Sequence, residues 1–199
     1  MVLTDPALLK GRDAVDVCGR AVQGGATIIQ VRWKGGDAAE VAQLARTLVA
    51  AMPVPVIVND RVDVALAAGA AGAHLGWDDP PLEALRPHVP PGFVFGLSVG
   101  SPEEAERART TSADYWSVGP CFATETKPDA GAPLGAEGFA ALACLAPEVV
   151  PVIGIGGITE QNAGTLAAAG AAGVAVIAAV MGAADPQRAA AEIRQALAS

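Results

Sequence analysis

Lysine is nearly missing from this chain: among 199 residues only Lys10, Lys34 and Lys127 occur, while arginine carries most of the positive charge. Cysteine is just as sparse. Cys18, Cys121 and Cys144 are odd in number and lack metal-ligand spacing, which excludes a disulfide framework and points to a reducing compartment, the cytoplasm. Charged residues make up only 17% and the net charge is −8, so the basic footprint of a nucleic-acid or anionic-membrane binder is absent. A small anion can still bind an acidic protein where a few cations converge. Hydrophobic residues at 52% exclude disorder and suit a single domain over residues 1–199 with a full core. The start, Met1-Val2-Leu3-Thr4-Asp5, lacks the basic and then apolar pattern of a signal peptide. One uncharged stretch, 163–184, is long enough to cross a bilayer. It is rich in alanine and glycine, and Gly170-Ala171-Ala172-Gly173 interrupts it, so a helix, a turn and a buried strand are expected there, and no membrane partner.

What is present alternates. Short β-branched runs begin near Val2, Thr27, Val54, Gly72, Phe93, Tyr115, Pro151 and Gly173, and alanine-rich stretches such as 37–51, 101–111, 159–169 and 185–198 fill the gaps. Ser101-Pro102-Glu103-Glu104 reads as a helix N-cap, a proline at the first helical position and a capping-box glutamate, and Asp185-Pro186 repeats the cap and proline. Small residues recur before three strands, as Gly24-Gly25-Ala26, Gly69-Ala70-Ala71-Gly72 and Gly170-Ala171-Ala172-Gly173; Ser112-Ala113-Asp114 takes that place before the sixth. Strands alternating with helices, and apolar on both faces as in 54–58 and 149–155, specify a parallel sheet with both faces covered. Eight of them predict an α/β fold, a single (β/α)8 TIM barrel. The rival is a doubly wound open sheet. Against it, Gly154-Ile155-Gly156-Gly157 is not G-x-G-x-x-G, and no acidic residue closes the next strand.

A barrel places its chemistry at the C-terminal strand ends. Gln30, Arg32 and Lys34 share one side of the second strand by period-two alternation, with Val31 and Trp33 on the other. Asn59-Asp60 close the third strand, His74-Leu75-Gly76 lead to Asp78-Asp79 after the fourth, Ser98 ends the fifth, and Thr124-Glu125-Thr126-Lys127 follow the sixth. Arg32, Lys34 and Lys127 can neutralise a diphosphate, while Asp60 and Asp79 can hold Mg²⁺ whose other ligands come from substrate phosphates. Each group has a plainer reading. The lysines serve as surface charge, Asp60 as the cap of the following helix, and Asp78-Asp79-Pro80 as a cap before a proline-led turn. Gly156 and Gly157, with Ile177 and Ala178, offer backbone amides for a second, separate phosphate, or simply form a tight turn. His74, inside a strand, reads as a hydrogen-bonded core histidine, His88 as surface loop, and Cys121 as a small inert hydrophobe. A Ser-His-Asp or Cys-His set is not evident, which disfavours a hydrolase.

Taken in order, these segments resemble thiamine phosphate synthases over almost the full length. The resemblance rests on Gln30-Val31-Arg32-Trp33-Lys34, Val58-Asn59-Asp60-Arg61, His74-Leu75-Gly76 with Asp79, Gly96-Leu97-Ser98, the run from Gly119 to Pro128, Gly154 to Ile158, and Gly173 to Val180. It implies a transferase that joins aminomethylpyrimidine diphosphate to thiazole phosphate and releases diphosphate. Gln30, Val31, Arg32, Trp33 and Lys34 with Asn59, Ser98 and Lys127 would then bind the pyrimidine diphosphate, and Arg32, Lys34, Ser98 and Lys127 would act on it. Asp60 and Asp79 would hold Mg²⁺. Thr124, Glu125, Thr126, Gly157, Ile177 and Ala178 would hold the thiazole phosphate. Trp77 stands where a glutamine is common in the family, and Ala178 replaces a frequent serine. Two other readings stay open: a thiazole tautomerase, whose sequences place a histidine where this chain has Pro120, and a phosphate-ligand-binding barrel without turnover.

Overall fold

The computed structural model describes residues 1–126 and 131–198. Eight strands form one parallel sheet in sequential order: β1 (Val2–Leu3), β2 (Ile29–Val31), β3 (Val56–Asn59), β4 (Gly72–Leu75), β5 (Val94–Val99), β6 (Tyr115–Val118), β7 (Val152–Ile155) and β8 (Gly173–Ala175). The sheet closes on itself. Val2 bridges Val176 in parallel, Leu3 N donates to Val176 O at 2.9 Å and Val176 N donates to Met1 O at 3.1 Å. The architecture is the expected (β/α)8 barrel, and the open-sheet alternative is excluded by this seam.

Helices cover the outside: α1 (Pro6–Leu9), α2 (Ala14–Gln23), α3 (Ala38–Ala51), α4 (Val62–Ala68), α5 (Leu82–Leu85), α6 (Pro102–Ala108), α7 (Gly135–Ala143), α8 (Ala163–Ala168), α9 (Ala178–Met181) and α10 (Pro186–Ala198). The uncharged stretch 163–184 is α8, a turn, β8 and most of α9, and among the described residues no helix is long and apolar enough to cross a membrane. The expected helix at 159–169 starts later, because Asn162 Oδ1 accepts from Thr159 N at 2.9 Å and turns the chain before the first helical residue. At α6 the cap differs in detail from the expected box. Ser101 Oγ accepts from Glu104 N, but Glu104 Oε2 reaches one residue further back, to Gly100 N at 2.6 Å.

The recurring small residues form one repeated helix stop. Gly25 N donates to Val22 O and Ala26 N to Ala21 O; Gly69 and Ala70 bond Leu66 O and Ala65 O; Gly170 and Ala171 bond Ala167 O and Leu166 O. Each is a Schellman motif with glycine in the left-handed region, φ 102, 68 and 91. The following amides dock the next strand, as Ala71 N does on Val56 O and Ala172 N on Val152 O, both at 2.8 Å. Asp114 N makes the equivalent bond to Phe95 O at 2.8 Å, but no glycine precedes it; Thr110 and Thr111 hydroxyls cap Arg107 O and Ala108 O instead. Gly69 has open space where a Cβ would stand, so Gly69→Ala carries only the conformational penalty. We expect a loss of about 1–2 kcal/mol in urea unfolding; an unchanged midpoint would contradict the motif.

Strand alternation separates two cores. Val2, Ile29, Val31, Val58, Leu75, Phe95, Leu97, Trp116 and Val118 face the helices and belong to the main apolar cluster. Their strand neighbours face the barrel interior, which is more polar than the expected double-apolar strands: Gln30, His74 and Ser117 are all buried there.

Candidate active site

The mouth of the barrel begins at β1 and β2. Thr4, wholly buried, donates from Oγ1 to Arg32 O at 2.8 Å and accepts from Arg32 N at 2.9 Å. A side chain thus extends the strand pairing just beyond the ladder. Asp5 uses one oxygen to cap α1, accepting from Ala7 N at 3.1 Å, and the other to meet Arg32 Nη1 at 3.4 Å. That pair is only 13% and 17% exposed, so the guanidinium is aimed before any ligand arrives. Thr4 and Asp5 were not singled out among the candidate residues; the cap-and-proline pair Asp5-Pro6 at a strand end was the legible sign.

The expected alternation at β2 is present, with one correction. Gln30 faces inward, is 2% exposed, and its amide nitrogen lies 3.7 Å from Met1 Sδ. Val31 takes the outer side and is completely buried in the helix-facing cluster. Its side chain therefore cannot touch a ligand in the mouth, and only its main chain remains available. Trp33 is half-buried with its ring over Gly36, whose Cβ position lies 2.7 Å from Trp33 Cγ. Lys34 is exposed.

A buried polar row crosses β4, β5 and β6. His74 Nδ1 lies 2.9 Å from Tyr115 Oη and its Nε2 lies 3.0 Å from Ser98 Oγ. His74 is thus the hydrogen-bonded core histidine that its strand position implied. Burial raises the Tyr115 hydroxyl above its usual range, opposed by a smaller effect of the Gln30 side chain bonded to it. His88 is exposed beside α5, and burial pushes the Cys121 thiol up to about 11, as suits an inert residue.

The two proposed metal carboxylates have different settings. Asp60 follows β3 in the left-handed region, φ 62, unusual for a residue with a Cβ, and its N–H donates to His74 O at 2.8 Å. It does not cap the next helix: α4 starts after Arg61 with no side-chain cap. Asn59, half-buried, precedes it. Asp79 Oδ2 accepts from Gly76 N at 2.7 Å, closing the turn after β4 and leaving Oδ1 for another partner, while Asp78 is exposed. The turn-cap reading of Asp79 is therefore realised, and it does not consume the carboxylate. Among the described residues no cluster of three or more His, Cys, Asp or Glu could hold a metal alone. Two hard oxygen donors at most fit Mg²⁺, which takes one or two carboxylates plus phosphates and water. Trp77, next in the turn, lies under the Arg107 guanidinium at 4.2 Å.

The opposite rim is built from backbone. After β6, Cys121 N bonds Ile155 O at 2.7 Å and Phe122 N bonds Gly156 O at 3.0 Å, so this loop runs along the end of β7. Gly157, φ 62, faces it directly: a Cβ there would meet the Ala123 carbonyl and come within 2.9 Å of Phe122 Cβ. Close approach of two loops, rather than of a ligand alone, is why glycine stands here. Thr124 Oγ1 accepts from Thr126 N at 3.3 Å, Thr124 and Thr126 are half-buried, and Glu125 is exposed. Ile177 precedes α9 and Ala178 opens it, exposed, where first-turn amides lack helical partners. Arg12 holds the far end of α9 by donating to Met181 O and to Ala183 O. Lys127 lies outside the described residues.

A cationic, hydroxyl-bearing rim and an amide-rich rim thus face each other across one barrel mouth. A family model described as thiamine monophosphate synthase matches residues 1–180. A thiamine-phosphate synthase of Roseiflexus sp. (strain RS-1) is 44% identical over 100% of this chain and 84% of its own. One from Methanoculleus marisnigri is 45% identical over 100% and 94%. The solved thiamine phosphate pyrophosphorylase of Pyrococcus furiosus superposes with a TM-score of 0.85 at 36% identity, covering 99% of this chain and 94% of that one. With the sequence segments, the barrel and the two-sided mouth in agreement, the chain belongs to the thiamine monophosphate synthase family.

Proposed function

We propose that the protein is a transferase that joins 4-amino-2-methyl-5-(diphosphomethyl)pyrimidine to a thiazole phosphate, giving thiamine phosphate and diphosphate. The observation that carries this reading is the division of the mouth into two unlike rims, one for each phosphorylated substrate. The C–O bond between the pyrimidine methylene and the diphosphate breaks first, its electron pair leaving on oxygen. The thiazole nitrogen then attacks the methylene cation. Such a step needs leaving-group stabilisation and positioning more than acid–base chemistry. Arg32, pre-aimed by Asp5, and Lys34 face the diphosphate, joined in this proposal by Lys127, with Asn59 and Ser98 as neutral contacts. Asp60 and Asp79 would hold Mg²⁺, which supplies charge neutralisation on the diphosphate when bound. Thr124, Thr126, Gly157, Ile177 and Ala178 seat the thiazole phosphate, and the whole chain acts as one catalytic domain in the reducing cytoplasm, with its three free thiols unpaired.

The tautomerase alternative is weaker on one specific ground. The sixth strand end presents Pro120, buried, and the two histidines stand elsewhere, His74 in the barrel and His88 on the surface. Purified protein incubated with both substrates and Mg²⁺ is expected to form thiamine phosphate. EDTA, or Asp60→Asn with the fold intact by circular dichroism, should weaken diphosphate binding strongly by calorimetry. Tight binding of the substrates with no product would leave a non-catalytic binder, and diphosphate affinity unchanged in both metal tests would remove the metal clamp.

A further inference from the structure

Across the barrel interior, His74, Gly96 and Tyr115 are register partners on β4, β5 and β6. Gly96 is the gap in which the outer two meet. A Cβ there would overlap the Tyr115 ring and hydroxyl and His74 Nδ1. The strand thus omits a side chain where a tyrosine–histidine contact is made, and Ser98, two residues on and on the same face, takes the other imidazole nitrogen.

The direction of the protons in this row follows from the partners. Burial keeps Tyr115 a neutral phenol at physiological pH, and the Gln30 side chain is bonded to its oxygen. With that oxygen already accepting, the phenol proton goes to His74 Nδ1. An imidazole that accepts at Nδ1 carries its proton on Nε2, and so donates to Ser98 Oγ. Ser98 then has its own proton left to donate, and it is half-buried at the C-terminal end of β5, where the mouth opens.

We infer that Tyr115 is a positioning residue, which sets the tautomer of His74 and through it orients the Ser98 hydroxyl as a donor into the barrel mouth. His74 is the middle member of that row and titrates no substrate group in this scheme. The inference rests on the synthase reading for its consequence, since Ser98 faces the pyrimidine diphosphate there, but not for its geometry.

The test has two arms. Long-range ¹H–¹⁵N spectra read histidine tautomers directly, and with two histidines in the chain His88→Gln assigns both. Wild-type His74 is expected to be neutral with the proton on Nε2, and Tyr115→Phe should give a mixture of tautomers at unchanged ring volume. In turnover, Tyr115→Phe should lower kcat about 10–100-fold, the scale of a misplaced contact group, with the KM for thiazole phosphate within twofold. Because the effect runs through Ser98, it should vanish in a Ser98→Ala background. A wild-type His74 protonated on Nδ1, a tautomer unmoved by Tyr115→Phe, or losses that simply add in the double variant would each overturn the inference. If wild-type protein makes no thiamine phosphate, the synthase reading fails separately, and the spectra still decide the role of Tyr115.

Discussion

Arg32→Ala is expected to lower kcat by about 10²–10³, or about 2.7–4 kcal/mol of barrier, the usual effect of removing one preorganised stabiliser of developing charge. The guanidinium does not have to be gathered from solvent. Asp5 holds it at 3.4 Å with both side chains largely covered, so the cost of ordering it is met during folding. Charge on the departing diphosphate grows as the C–O bond stretches, and a fixed cation gains most at that point. The substitution also strands the Asp5 carboxylate beside an anionic substrate. Asp5→Asn added to Arg32→Ala should therefore restore part of the activity, whereas Asp5→Asn alone should lower it. Lys10→Ala, at an exposed residue remote from the strand ends, serves as the control and should match wild type. Steady-state kinetics decide the matter: Arg32→Ala within twofold of wild type would remove this residue from the mechanism.

Gly157→Val should be the most damaging change on the opposite rim. The position has φ 62, where a β-branched residue is strained, and its Cβ would be driven into Phe122 and the Ala123 carbonyl. Neither neighbour can yield alone, because Phe122 N is tied to Gly156 O at 3.0 Å and Cys121 N to Ile155 O at 2.7 Å. The loop bearing Thr124 and Thr126 must move instead. We expect kcat/KM for thiazole phosphate to fall by about 10²-fold, since displacement of a positioning group by about 1 Å costs that much. The KM for the pyrimidine diphosphate should stay within a few-fold, as Arg32 and Ser98 lie on other strands. Equal losses for both substrates, with the fold intact, would show that the two rims do not act separately.

Much of this was legible because parallel barrels write their parts locally. The (β/α)8 order, the strand positions and the two faces of Gln30–Lys34 follow from periodicity, which registers whether a side chain faces in or out. What periodicity cannot register is a partner from another strand. Asp5 looks like a helix cap, and it is one, but its second oxygen finds Arg32 only when β1 and β2 pair. Val31 sat inside a motif that invited a ligand contact, yet its own alternation placed it outward, and the outward side won. Gly157 was read for anion approach; the loop that truly crowds it comes from β6, 34 residues earlier at Ala123, beyond any local pattern. Tyr115 and His74 meet only because Gly96 stands between them in register.

The seam between β8 and β1 bears on how the chain assembles. Adjacent strands elsewhere pair over only about 15–36 residues of sequence, whereas Met1 N meets Val174 O across 173. Nucleation can therefore begin in any neighbouring strand pair and spread along the ladder, since every join but one has low contact order. Chain entropy for the last join grows only logarithmically with the loop. Going from a local join to the full ring is roughly two to four doublings of length, or about 1–2 kcal/mol. Ring closure thus comes late in assembly yet stays within reach of the few hydrogen bonds that make it, each worth about 1 kcal/mol.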